Sequence, residues 1–328
     1  MGFSIIIPVK GINHYIEESI PITLGLDHPD FEILILPNDL PEGELPAYLR
    51  DPRVKLIASG RVSPAVKRDL GAKHAKYEYL AFLDDDAFPA RDWLKVADKI
   101  FRETKVAALG GPGITPERAP WFEQVSGLFF ESLVGGGGMD YRYKPAGKGF
   151  YVDDYPTVNL IVDKKAFFDV GGFDNNFWPG EDTKFCLDLV TKGYKIWYDP
   201  TLVVWHHRRP TLKGHLKQVG NYGKHRGYFA KKFPATSARV TYFVPAAFLV
   251  ANVLLLILGL IARPEFFALL GLMLALYFVL GTVDLARRGP SPRLLAATLG
   301  TMYCSHIYYG WMFLRGLCSR HGFKSQLR

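Results

Sequence analysis

Three consecutive carboxylates, Asp84, Asp85 and Asp86, close the apolar run Tyr79–Leu83. A short apolar run bounded by polar residues reads as a buried strand. Carboxylates crowded at the mouth of such a strand repel one another unless a cation lies among them. Hard divalent cations take carboxylate and phosphate oxygens together. The triplet is therefore a candidate for holding Mg2+ or Mn2+ against a phosphorylated ligand; the plainer reading is a solvated acidic turn before a helix, since Asp92 and Trp93 follow closely. A second acidic pair, Glu181-Asp182, stands after Pro179-Gly180 at the start of a helical stretch running to Lys192. It suits a proton acceptor in a cleft, or simply complements the helix dipole. His206 and His207 follow a strand-like segment, Leu202–Trp205, and neutral imidazole ligates divalent ions.

Those groups need a scaffold. The first 110 residues alternate strand and helix signals: strands at Ile5–Val9, Phe31–Leu36, Val54–Ala58, Tyr79–Leu83 and Val106–Leu109, with helices at 15–26, 64–75 and 91–104 between them. Repeated β-α-β units predict an α/β, Rossmann-like domain with a mostly parallel sheet. In such sheets ligands gather at the carboxyl ends of the strands, which is where the aspartate triplet falls. The stretch 115–210 is less regular, with helices expected at 120–134, 164–170 and 182–192 and strands at 159–162, 195–198 and 202–205.

Several motifs then stand in a fixed order: Pro8, Pro37-Asn38-Asp39, Lys67-Arg68-Asp69, Asp84-Asp85-Asp86, Gly171-Gly172-Phe173-Asp174, Gly180-Glu181-Asp182 and His206-His207-Arg208. Over about residues 3–235 this resembles the family 2 glycosyltransferases, whose catalytic domain has the GT-A fold. The resemblance implies an inverting, metal-dependent transfer of a sugar from a nucleotide-diphosphate donor. It places Pro8, Asp39, Arg68, Asp84 and Asp85 at the nucleotide sugar and Asp86 and His206 at the metal, with His207 as rival to His206. It makes Asp182 the general base, with Glu181 second, and sets Trp178 near the acceptor. Two departures stand out. Val9-Lys10-Gly11 replaces the usual aromatic, Asn and Glu, and Asp69 takes the place of the usual Asn.

Composition supplies the rest. Tyr242–Ala262, Phe266–Val283 and Leu294–Leu314 carry no charged residue, and runs of that length are transmembrane candidates. Net charge is +8, and no acidic residue occurs between Asp199 and Glu265, a stretch holding nine Lys or Arg before the first apolar run. A basic collar beside a membrane span is attracted to anionic lipid and marks the cytoplasmic side; no nucleic-acid motif accompanies it. Three cysteines without metal-ligand spacing predict no disulfide framework. The chain enters strand-like sequence at once, without a leader pattern. The expected organisation is a catalytic domain over 1–207, a basic interfacial segment over 208–240, and an anchor of two or three spans over 241–328 in the cytoplasmic membrane, with the catalytic domain inside. A third span would put Arg315, Arg320, Lys324 and Arg328 outside, against the positive-inside rule. The expected acceptor is a lipid-linked saccharide or surface polysaccharide. Polyprenyl-phosphate sugar transfer and a non-catalytic, membrane-tethered nucleotide-sugar scaffold are the alternatives.

Overall fold

The computed structural model describes residues 1–177 and 179–319. It divides into two compact units, one formed by Met1–Pro116 and Lys144–His207, the other by Glu117–Tyr143 and the chain from Arg208. Strands occur only in the first unit among the described residues: β1 (Phe3–Pro8), β2 (Phe31–Leu36), β3 (Val54–Leu56), β4 (Tyr79–Leu83), β5 (Ala87–Pro89), β6 (Ala108–Gly110), β7 (Gly113–Ile114), β8 (Phe150–Val152), β9 (Asn159–Asp163), β10 (Ile196–Tyr198) and β11 (Val204–His206). The main sheet runs β3-β2-β1-β4-β9-β6-β10-β8. Only β9 and β8 oppose the common direction. Ile5, Ile6 and Ile7 of β1 and Ile33, Leu34 and Ile35 of β2 have no exposed surface, as strands covered by helices on both faces require. The result is an α/β, GT-A-like sheet, mostly parallel.

A second small sheet, β5-β11-β7, pairs the strand after the aspartate triplet with the strand that ends in His206. Neither β5, β7 nor β8 is foreseen from the sequence. Strands of two or three residues are too short to show a period, and pairing partners distant along the chain define them.

The second unit departs from the expected division in one respect. Glu117–Tyr143 groups with the later chain rather than with residues 1–207. The helix Trp121–Glu131 supplies Leu128, Phe129 and Phe130 to a core shared with Val219, Leu285 and Met302. His215, fully buried, hydrogen-bonds Ser126 and Ser305 through its two ring nitrogens at 2.8 and 3.0 Å, and so ties three helices together. Burial lowers its pKa to about 4, which keeps the ring neutral.

Of the three apolar runs, two form helices long and apolar enough to cross a membrane, Val240–Ile261 and Glu265–Ala286, with mean hydropathies of 2.6 and 2.3. Val250, Leu254, Leu260, Leu272, Leu276 and Val279 are exposed on them. The third run lies in Pro292–Cys318, which does not meet that test. That helix buries Thr298, Thr301 and Ser305 and packs closely on the basic helix Leu212–Lys232. The expected interfacial segment thus has one face engaged by protein. Glycines make the approach possible: a Cβ on Gly227 would collide with the Phe313 carbonyl oxygen. Gly227→Ala is expected to lower the stability of this unit by about 1–3 kcal/mol through overpacking, read as a fall in the thermal midpoint of the purified protein in detergent.

Candidate active site

The residues of interest converge within the first unit. β4 delivers Asp84, Asp85 and Asp86 at its carboxyl end, and β11, hydrogen-bonded to β5, brings His206 alongside. His206 Nε2 lies 3.2 Å from Asp86 Oδ1. Asp84, Asp86 and His206 each offer a ligand atom, all within 4.8 Å of one another. Two carboxylates and an imidazole form a donor set suited to Mg2+ or Mn2+, and their mutual distances allow one ion to bind all three. His207, the rival, turns away: its Nε2 meets Glu18 at 3.0 Å and its ring packs against Tyr15 and Phe88. Asp85 also points elsewhere, accepting a hydrogen bond from Asn13 Nδ2 at 2.8 Å. Burial raises its pKa and the Asp86 charge adds to the rise, with the Asn13 hydrogen bond opposing it.

Arg68 connects this cluster to the second acidic pair. It sits on the helix Pro64–His74, which starts on Ser63 as N-cap with Pro64 in its first turn. Its guanidinium is buried, donating from Nη2 to Asp84 Oδ1 at 2.7 Å and from Nη1 to Glu181 Oε1 at 2.9 Å. Desolvation works against its charge, but the carboxylates of Asp84, Glu181 and Asp182 prevail and raise its pKa. Glu181 Oε2 accepts from the Gly180 backbone N–H at 3.0 Å, so both its oxygens are engaged. Gly180 has φ 117°, a left-handed conformation open to glycine, and this turns the chain so that the pair starts the helix Glu181–Thr191. Burial raises the Glu181 pKa and Asp182 adds to this, while Arg68 opposes it. Asp182 is half-buried beside it and accepts the Thr183 N–H at 2.7 Å.

The other expected positions are more dispersed. Pro8 ends β1 and is buried, and Asp39 is exposed after β2. Trp178 lies outside the described residues. Two residues had roles that sequence reasoning missed. Lys67, only 3 % exposed, donates to the carbonyls of Val9 and Leu36 and to Asn38 Oδ1, bracing the ends of β1 and β2. Burial lowers its pKa to about 8, against the pull of Asp39 and Asp85. Asp69 accepts the Phe173 N–H at 3.0 Å and so docks the Gly171-Gly172 turn on the same helix. Its place directly after Arg68 was the available signal. Burial raises Asp69 to about 6.

A family model described as "Glycosyl transferase family group 2" matches residues 79–283. Among curated relatives, a pre-mycofactocin glycosyltransferase of Mycobacterium tuberculosis is 27% identical over 53% of this chain. The chain spans only 36% of that relative's length. A Methanococcus voltae protein named dolichyl N-acetyl-alpha-D-glucosaminyl phosphate 3-beta-D-2,3-diacetamido-2,3-dideoxy-beta-D-glucuronosyltransferase is 22% identical over 96% of both chains. Among solved structures, the mannosyltransferase PcManGT of Pyrobaculum calidifontis, in complex with GDP-Man and Mn2+, has a TM-score of 0.67 at 17% identity, covering 97% of this chain and 88% of that one. That likeness shows the fold.

Arg68→Met would leave two carboxylates facing each other in a poorly solvated site. A loss of about 3–5 kcal/mol is expected in denaturant unfolding, and Arg68→Lys should not restore it, because one ammonium lacks the two-pronged reach. Asp69 has the opposite sign. Its folded pKa is about 6, above the ordinary 3.8, so the native state binds the extra proton and stability falls as pH rises from about 4 to 6. Asp69→Asn should therefore raise stability at pH 7.5 by on the order of 1 kcal/mol, discounted for partial solvent screening. The gain should fade towards pH 4 in a pH series of thermal midpoints.

Proposed function

The chain belongs to glycosyl transferase family group 2, and on that premise we propose that it is a membrane-anchored, inverting glycosyltransferase using a nucleotide-diphosphate sugar. The observation that carries this reading is the convergence of Asp84, Asp86 and His206 with the linked chain Arg68–Glu181 and with Asp182. Asp84, Asp86 and His206 would hold Mg2+ or Mn2+, which when bound neutralises charge developing on the departing diphosphate. Pro8, Asn38 and Asp39, at the ends of β1 and β2, would receive the nucleoside, with Lys67 fixing that floor.

Asp182 is assigned as general base. Glu181 has both oxygens committed to Arg68 and Gly180, whereas Asp182 is the more exposed of the two. The acceptor hydroxyl oxygen forms the new bond to the anomeric carbon as the bond from that carbon to the diphosphate oxygen breaks. Asp182 takes the hydroxyl proton, and the nucleoside diphosphate leaves. Attack opposite the leaving group inverts the anomeric centre, with no covalent enzyme intermediate. Arg68 and Glu181 are positioning residues.

The acceptor is assigned as a lipid-linked saccharide in the cytoplasmic leaflet. Support comes from the apolar helices Val240–Ile261 and Glu265–Ala286, the basic stretch before them, and the dolichyl-linked acceptor in the name of the M. voltae relative. The test is a panel of nucleoside diphosphates with and without Mn2+, read as shifts in thermal midpoint. One nucleotide should stabilise the protein more with Mn2+, and Asp86→Asn should remove the Mn2+-dependent part. Asp182→Asn should retain nucleotide stabilisation but lose about 10²–10⁴-fold in transfer rate. Full turnover in Asp182→Asn would refute the assigned base.

A further inference from the structure

The segment Glu117–Tyr143 takes no part in the chemistry above. It leaves the chain of the first unit after Pro116 and rejoins it at Lys144, yet it groups with the apolar helices. Three contacts tie it to one short stretch, residues 284–293, at the turn between the helices Glu265–Ala286 and Pro292–Cys318. Asp284 Oδ2 accepts from Ser132 Oγ at 2.5 Å and from the Val134 N–H at 3.1 Å. Arg288 pairs with Glu131 at 3.5 Å. The guanidinium of Arg293 lies 4.8 Å from the Trp121 ring centre.

Depth follows from length. The 22 residues of Glu265–Ala286 rise about 33 Å, against a hydrocarbon core of about 30 Å. Asp284, close to the end of that helix, therefore stands at the boundary of any bilayer the helix spans. An acid at that depth must find donors, and Ser132 and Val134 supply them from the inserted segment. Leu133, between the two donors, is held at the same boundary. It is 59% exposed, and Trp121 on the same segment is 40% exposed. Indole rings concentrate at membrane interfaces, and an apolar side chain at that level gains by leaving water. Arg287 and Arg293, exposed in the turn, suit the headgroup layer.

We propose that Glu117–Tyr143 is an interfacial segment that enters the headgroup layer of the membrane through Leu133 and Trp121. The proposal rests on the membrane-anchored reading given above. It adds a lipid contact made from between the two stretches of chain that form the first unit, far in sequence from the apolar helices. A lipid-linked acceptor would present its saccharide at that same layer.

The experiment uses the full chain in nanodiscs of phosphatidylcholine and phosphatidylglycerol. Cys304→Ser and Cys318→Ser remove the exposed thiols, and Cys186 is buried. One fluorophore is attached at Leu133→Cys, Trp121→Cys, Leu254→Cys or Leu40→Cys in turn. Leu254 is exposed on the helix Val240–Ile261, and Leu40 is exposed after β2. Aqueous iodide should quench the label at Leu133→Cys on the order of fivefold less than the label at Leu40→Cys. Lipid carrying a nitroxide near its headgroup should quench it, and Trp121→Cys should behave in the same way. The label at Leu254→Cys should be quenched by a nitroxide deep in the acyl chain. Iodide access at Leu133→Cys equal to that at Leu40→Cys, with Leu254→Cys still quenched from the acyl chain, would overturn this proposal alone. So would protection from iodide without nitroxide quenching, which would assign the surface to a protein partner. Absence of acyl-chain quenching at Leu254→Cys would overturn the membrane-anchored reading and this proposal with it.

Discussion

One buried guanidinium organises the candidate site. Arg68 stands between Asp84 and Glu181, with hydrogen bonds of 2.7 and 2.9 Å to carboxylates that come from the two separate stretches of chain forming the first unit. A lone guanidinium would not remain charged and buried in that position at tolerable cost, and neither would two facing carboxylates. Each is sustained by the others, and the sheet must therefore hold the end of β4 and the start of the helix Glu181–Thr191 in register. The Gly171-Gly172 turn, docked through Asp69, and the left-handed Gly180 are the local devices that set this register.

The same linkage explains why two adjacent acids take different parts. Glu181 is saturated by Arg68 and by the Gly180 N–H, and so it is spent on position. Asp182 retains exposure, which is why it is the member of the pair proposed as base. At the other end of the linkage, Asp84 shares one oxygen with Arg68 while standing with Asp86 and His206 as a ligand set. The acidic cluster at the end of β4 and the acidic pair at the start of the helix Glu181–Thr191 are thus joined through a single side chain.

Much of this is legible in the sequence, for identifiable reasons. β2 and β4 are continuous apolar runs with polar ends, and both are found at the residues expected. The aspartate triplet, the Gly-Gly-Phe-Asp turn and the Glu-Asp pair stand out because turns with positive φ demand glycine and because clustered acids at a strand end are costly. What sequence could not supply was partnership. Nothing in the order of residues distinguishes His206 from His207; the pairing of β11 with β5 does, by setting His206 opposite Ala87. Lys67 reads as a surface lysine until the carbonyls of Val9 and Leu36 are seen to converge on it. The grouping of Glu117–Tyr143 with the later chain depends on contacts more than 80 residues apart, such as Ser126 with His215. The third apolar run resembled the first two by composition, but its Ser305 is buried and hydrogen-bonded to His215 of the helix Leu212–Lys232, on which the run packs.

The proposed linkage is tested most directly by a double-mutant cycle between Asp84→Asn and Glu181→Gln, with unfolding free energy as the readout. The two carboxylates share Arg68, so removing the charge of either one changes how strongly the guanidinium needs the other. Joint dependence on Arg68 predicts a coupling of about 1 kcal/mol or more between the two substitutions. Strict additivity, with the coupling within about 0.3 kcal/mol of zero, would contradict it.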